Sequence, residues 1–121
     1  TYQAFAARVV AHRDKLLKFL DDARSAGKRV AALGASTKGN VLLQYCNLGP
    51  DRIEAIGEVN PDKFGAFAPG SSIPIVDESE LLATAPDYLI VLPWHFRKFF
   101  ETQPRYSGLN LVFPLPELTV K

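Results

Sequence analysis

Cysteine is nearly absent from the 121-residue chain, methionine is absent altogether, and histidine occurs twice. Cys46 has no second cysteine to pair with, which excludes a disulfide framework and a cysteine-based zinc site. A buried place on a helix is its expected role. No apolar run approaches the roughly 20 residues that span a bilayer. The N-terminus carries a helical pattern of mixed charge, unlike a signal peptide, so a reducing, cytoplasmic location is the expectation. An excess of one charge is also missing: 14 Lys and Arg stand against 13 Asp and Glu, interspersed. Nucleic-acid and membrane-surface proteins show a basic face, so neither partner is expected. A small anionic ligand is not excluded, because one well-placed lysine serves it. The lack of methionine, with Thr1-Tyr2 opening on a helical pattern, fits a domain cut from a longer protein, though an initiator methionine can also be removed before Thr.

What is present is the composition of an ordinary globular domain, 47% hydrophobic and 22% charged. The length suits one domain. Tyr2, Phe5, Val9, Leu16, Leu20 and Ala23 recur at helical spacing, and Gly27 ends the pattern. His12 falls on its polar side as a solvated residue. Arg29 to Leu33 is a short apolar run bounded by Gly34, a buried strand. A helix through Val41, Leu43 and Cys46 follows, stopping at Gly49-Pro50. Ile53 to Val59 reads as the second strand, and Asn60 to Ser72 as a loop rich in Pro, Gly and Asn. Ile73 to Val76 is a short strand whose proline points to a sheet edge. Asp77 is placed to cap a helix carrying Leu81 and Leu82. Asp87 to Leu92 is a buried strand, and Pro93 suits the start of a helix through Phe96 and Phe99. Leu109 to Phe113 is the last strand, ended by Pro114-Leu115-Pro116.

Alternation of strand and helix predicts an α/β chain of parallel βαβ units. The expected architecture is a Rossmann-like three-layer αβα sandwich with a mostly parallel open sheet of about five strands and an extra N-terminal helix. Residues 1–27 form that helix and 28–116 the α/β core of a single domain. Ligands of such sheets bind beyond the carboxyl ends of the strands, where Gly34 to Asn40, Glu58 to Gly65 and Pro93 to Phe96 converge.

The first of these segments, Gly34-Ala35-Ser36-Thr37-Lys38-Gly39-Asn40, carries the strongest signal. A strand, a tight turn and a helix start gather unpaired backbone N–H groups, and the helix dipole favours an anion there. Ser36 and Thr37 add hydroxyls, and either could cap the helix; Lys38 adds a positive charge. The spacing is neither GxGxxG nor GxxxxGK[ST]. Glu58 stands where Rossmann domains hydrogen-bond a ribose hydroxyl, though a solvent-facing strand-end charge is an equal reading. Asn60 and Lys63 are candidate ligand contacts, against a side chain bonded to its own turn and a solvated lysine. Trp94 and His95 open a helix at the same edge, where packing competes with ligand contact. No Ser/His/Asp set or carboxylate pair marks a catalytic centre in the chain.

These segments, with Pro69-Gly70-Ser71-Ser72-Ile73-Pro74-Ile75 and Pro86-Asp87-Tyr88, occur in an order that resembles the C-terminal domain of S-adenosylmethionine-dependent nucleotide-sugar C-methyltransferases. The resemblance covers nearly the whole chain. It implies a substrate domain that binds a nucleotide-diphosphate keto-deoxysugar, with Ser36, Thr37 and Lys38 against the diphosphate. It places S-adenosylmethionine, zinc and the catalytic base in other parts of a longer enzyme, whose methyltransferase domain would be this domain's partner. The family pattern usually has Asp where Glu58 stands and Asn where His95 stands, which bears on contacts to the nucleotide or sugar. A small nucleotide or coenzyme A sensor on a Rossmann-like fold is the alternative, since the Asn60-Pro61 turn also occurs in coenzyme A-binding domains.

Overall fold

A computed structural model describes residues 2–35, 37–68, 70–113 and 119–120, with side chains from Val10 onward except those of Thr37, Lys38, His95 and Thr119. The elements are α1 (Tyr2–Ser25), β1 (Val30–Leu33), α2 (Thr37–Tyr45), β2 (Ile56–Glu58), β3 (Ile75–Asp77), α3 (Glu78–Ala83), β4 (Tyr88–Val91), α4 (Arg97–Thr102), β5 (Leu111–Phe113) and β6 (Thr119–Val120). Short 3-10 turns lie at Pro61–Lys63, Trp94–Phe96 and Pro104–Tyr106. The strands form one sheet in the order β3-β2-β1-β4-β5-β6. β1 to β5 are parallel and β6 runs antiparallel to β5. The order reverses between β1 and β4, the switch point of a doubly wound sheet. The α/β, Rossmann-like expectation holds.

Alternation along the central strands builds two cores. Val30 and Ala32 of β1 and Ile90 of β4 face a cluster with Leu16, Leu20 and Ala23 of α1 and Leu43 of α2. Ala31 and Leu33, with Leu89 and Val91, face Leu81 of α3 and Phe100 of α4 on the other side. Strands buried on both faces read as continuous apolar runs rather than alternating ones, and β1 and β4 do so. The N-terminal helix thus packs beside α2 on one face of the sheet. Cys46 is buried just past the end of α2, and burial raises its thiol pKa. His12 is half-buried, not solvated, and its Nδ1 is covered without a hydrogen-bond partner.

Several boundaries differ from expectation for local reasons. Glu54 and Ala55 already exchange backbone bonds with Val30 and Ala32, at 3.0 and 2.9 Å, so the apolar run beginning at Ile53 is wider than the regular strand. β3 lies at the sheet edge, as the proline of Ile73-Pro74-Ile75 required. Asp77 accepts the N–H of Ser79 at 2.9 Å and caps α3. Pro93 precedes a 3-10 turn that leads into α4 instead of opening one continuous helix. β6 carries the sheet past residue 116; two residues are too short for any period to announce. Pro69 and Pro114-Leu115-Pro116 lie outside the described residues. Among the described residues no helix is long and apolar enough to cross a membrane.

Candidate functional site

β1 ends at the switch point, and the chain turns there into α2 through Gly34 and Ala35. Gly34 has φ +81°, a conformation that side chains disfavour. A Cβ on it would meet Cδ and Cγ of Pro93, at the end of β4, at 2.7 and 2.8 Å. The glycine is therefore required by both backbone conformation and space. Its own N–H donates to the carbonyl of Gly57 at 2.8 Å.

Ala35 is held on both its backbone polar atoms, by the end of β2 and by the 3-10 turn that follows it. Its N–H donates to Oε1 of Glu58 at 3.0 Å, and its carbonyl accepts from Nζ of Lys63 at 2.8 Å. The other carboxylate oxygen of Glu58 accepts the N–H groups of Val59 at 2.8 Å and Asn60 at 3.0 Å. Lys63 Nζ lies 3.7 Å from Glu58 Oε1 and balances its charge. Glu58 is 8% exposed, so these bonds satisfy a nearly buried anion. Asn60 accepts the N–H of Asp62 at 3.1 Å and caps the 3-10 turn that carries Lys63. The Glu58-to-Lys63 segment is thus a clamp on the turn between β1 and α2. The Gly34 and Ala35 N–H groups are thereby both occupied within the protein. Ser36 lies outside the described residues, as do the side chains of Thr37, Lys38 and His95. Thr37 is the first residue of α2. Asn40, in the first turn, has a covered Oδ1 without a hydrogen-bond partner.

Beside the turn, on the α3 and α4 face, a cleft of about 390 Å³ opens. Gly34, Ala35, Glu58 and Pro93 border it on the turn side, and Phe96, Phe99 and Phe100 form an aromatic wall. Trp94, half-buried with contacts of its own, lies outside the lining, as do Asn40, Asn60 and Lys63. At the base, Glu78 is 3% exposed. It accepts the Tyr106 hydroxyl at 2.9 and 3.1 Å and pairs with Nε of Arg105 at 2.8 Å. Arg105 also donates to Ser79 Oγ at 2.9 Å. Burial raises the Glu78 pKa above the usual glutamate range, against the pull of Tyr106 and Arg105. Burial, and then the bond to Glu78, raises that of Tyr106.

The sequence reading missed this cluster. Glu78 and Tyr106 are 28 residues apart and share no spacing pattern; the sole local sign was a second acid directly after the capping Asp77. Because the native state holds the Glu78 proton more tightly than the unfolded chain, it binds more protons just above the ordinary glutamate range. Stability from this group falls as pH rises there. Tyr106→Phe removes a donor that favours the charged carboxylate. It should lower stability at neutral pH by about 1.5–3 kcal/mol and extend that fall to higher pH, as urea unfolding across a pH series would show.

Among the described residues, no group of three or more His, Cys, Asp and Glu side chains is arranged to hold a metal. A parallel sheet with a clamped turn, a helix start and a cleft at its switch point defines a Rossmann-like domain with one continuous candidate site. The sequence profile described as C-methyltransferase C-terminal domain matches residues 1–116, and the chain belongs to this family. It is 32% identical over 119 residues to the C-methyltransferase NovU of Streptomyces niveus. That match takes in 96% of this chain and 28% of the relative, so the chain spans little more than a quarter of the relative's length.

Proposed function

We propose that this domain binds the substrate, a nucleotide-diphosphate keto-deoxysugar, of an S-adenosylmethionine-dependent sugar C-methyltransferase. In this reading the diphosphate lies at the start of α2, against Ser36, Thr37 and Lys38. The observation that carries it is the clamped turn: Glu58 and Lys63 hold Ala35 so that α2 opens at the switch point, beside the cleft. Gly34 gives the turn its approach, and Asn40, Trp94 and His95 lie along the same edge. Glu58, Asn60 and Lys63 serve the ligand by fixing the turn. Membership of the C-methyltransferase C-terminal domain family supports the assignment. S-adenosylmethionine, which supplies the methyl group, and zinc belong to other parts of the parent, and the methyltransferase domain of the same chain is the partner. The setting is cytoplasmic deoxysugar biosynthesis, with no role for nucleic acid or membrane.

Calorimetric titration of the full-length protein with thymidine diphosphate tests this reading. Charge-assisted hydrogen bonds contribute about 1.5–3 kcal/mol each, so Lys38→Ala should weaken binding about tenfold or more. An unchanged dissociation constant in Lys38→Ala would remove the diphosphate from this turn. Selective binding of adenine-containing coenzymes, with indifference to thymidine diphosphate, would favour a coenzyme sensor.

A further inference from the structure

The outer side of β3 carries a short further piece of extended chain. Ala66 to Ala68 runs antiparallel along it, with Phe67 opposite Pro74. Ile75 donates to the Ala66 carbonyl at 2.9 Å, and Ala68 donates to the Ile73 carbonyl at 2.8 Å. These bonds flank the Phe67–Pro74 pair, which is therefore a non-hydrogen-bonded pair, each residue's own N–H and C=O pointing away from the other. The Pro74 carbonyl points into the sheet and accepts the Ile56 N–H at 2.9 Å. By the same alternation the N–H and C=O of Phe67 point out of the sheet. Neither makes a hydrogen bond among the described residues. Gly65, at φ +81°, and Ala66 both bond Ile75, a bulge that bounds this open edge on one side. An unpaired strand edge is a template for another extended chain, and the surrounding side chains specify which kind. Phe67 is 65% exposed and Phe64 37%, and both line a groove of about 350 Å³ with Pro74 and Val76. The charged side chains on that groove are Asp77 and Glu80. Neither forms an ion pair among the described residues. Lys63, on the preceding turn, is committed to Glu58 and the Ala35 carbonyl.

We propose that this edge docks an extended segment of a partner protein, one that carries lysine or arginine two positions from an apolar residue. The segment lies antiparallel to Ala66–Ala68, because only that direction lets one residue exchange both bonds with Phe67. Main-chain bonds of this kind supply affinity, and the pockets for alternate side chains supply specificity. Residues two apart on a strand share a face. The apolar side chain thus rests in the groove beside Phe64 and Phe67, and its basic neighbour meets Asp77 and Glu80. Charge complementarity selects this occupant over a second copy of the chain, which would set the same acidic edge against itself.

The probe is a fluorescently labelled peptide with blocked ends, Thr-Lys-Thr-Val-Thr-Lys-Thr, titrated with the full-length protein and followed by anisotropy. Its lysines flank the valine on one face, so the charge lies correctly whichever of them reaches the acids. Saturable binding is expected. Exchanging both lysines for glutamate should weaken it about tenfold, and Glu80→Lys in the protein should weaken the lysine peptide about fivefold. A peptide N-methylated at the valine loses the donor to the Phe67 carbonyl and should bind about tenfold more weakly. Phe67→Ala, at an exposed position that opens no core cavity, should cost up to about fivefold. No saturable binding of the lysine peptide, or equal binding of the glutamate peptide, would overturn the proposal. Unchanged binding of the N-methylated peptide would overturn the strand pairing on which it stands. Self-association of the wild type that Phe67→Asp abolishes in sedimentation would give the edge to a second copy and overturn it. Slow hydrogen exchange at the Phe67 amide in the full-length protein alone would show that its own chain covers the edge, and would overturn it as well.

Discussion

Replacing Glu58 with alanine should destabilise the domain by about 3–5 kcal/mol, the range found when one member of a buried charged network is removed. Three backbone N–H groups lose their acceptor in one step, those of Ala35, Val59 and Asn60. Lys63 is left beside the gap, still bonded to the Ala35 carbonyl. A buried donor without a partner costs about 1–3 kcal/mol; the Ala35 N–H is the buried one of the three, and those of Val59 and Asn60 are part-buried. Glu58→Gln keeps one acceptor oxygen but turns an amide group toward amide donors, and should fall between wild type and alanine. Urea unfolding of the three proteins would rank them. A loss under 1 kcal/mol in Glu58→Ala would mean that water replaces the carboxylate and that the clamp is weak.

Gly34→Ala should cost about 2–5 kcal/mol. A side chain in the left-handed region costs about 1–2 kcal/mol, and forcing a carbon into a filled space adds about 1–3. The built Cβ stands 2.7 Å from a proline ring atom, which a rigid ring at a strand end cannot easily yield. Gly27→Ala supplies the control. It has a similar φ of +72° with nothing within 4 Å of the added carbon, so it carries the conformational cost alone. The difference between the two midpoints in a denaturant series measures the contact between the ends of β1 and β4. Equal losses would show that Pro93 moves aside.

Local signals were enough for the sheet and its central strands. Arg29 to Leu33 and Asp87 to Leu92 are short apolar runs bounded by turn residues, consistent with strands buried on both faces, and they contain β1 and β4. Pro74 marked the edge strand because a proline cannot donate to a ladder. The turn after β1 was legible because glycine, a helix start and a lysine coincide within seven residues. The clamp was not, because a glutamate at a strand end has the same sequence signature whether it faces a ribose, water or a backbone amide. Its partner at Ala35 is a main-chain group and leaves no mark on side-chain pattern. The cleft was hidden for a related reason. Phe96 and Phe99 gave the helical spacing of an ordinary buried face, and only the fold shows them more than half exposed. Glu78, Arg105 and Tyr106 come together through the packing of α3 against the 3-10 turn before β5.

The clamp also sets a rule for exchanging parts between relatives. The segment after β1 and the segment after β2 form one unit, since Ala35 is bonded through its N–H to Glu58 and through its carbonyl to Lys63. A chimaera that imports residues 34–40 alone would inherit a backbone shaped for a different clamp. Moving residues 34–40 and 58–63 as a pair keeps donor and acceptor matched. Any exchange of these loops between family members should treat the two as a single cassette.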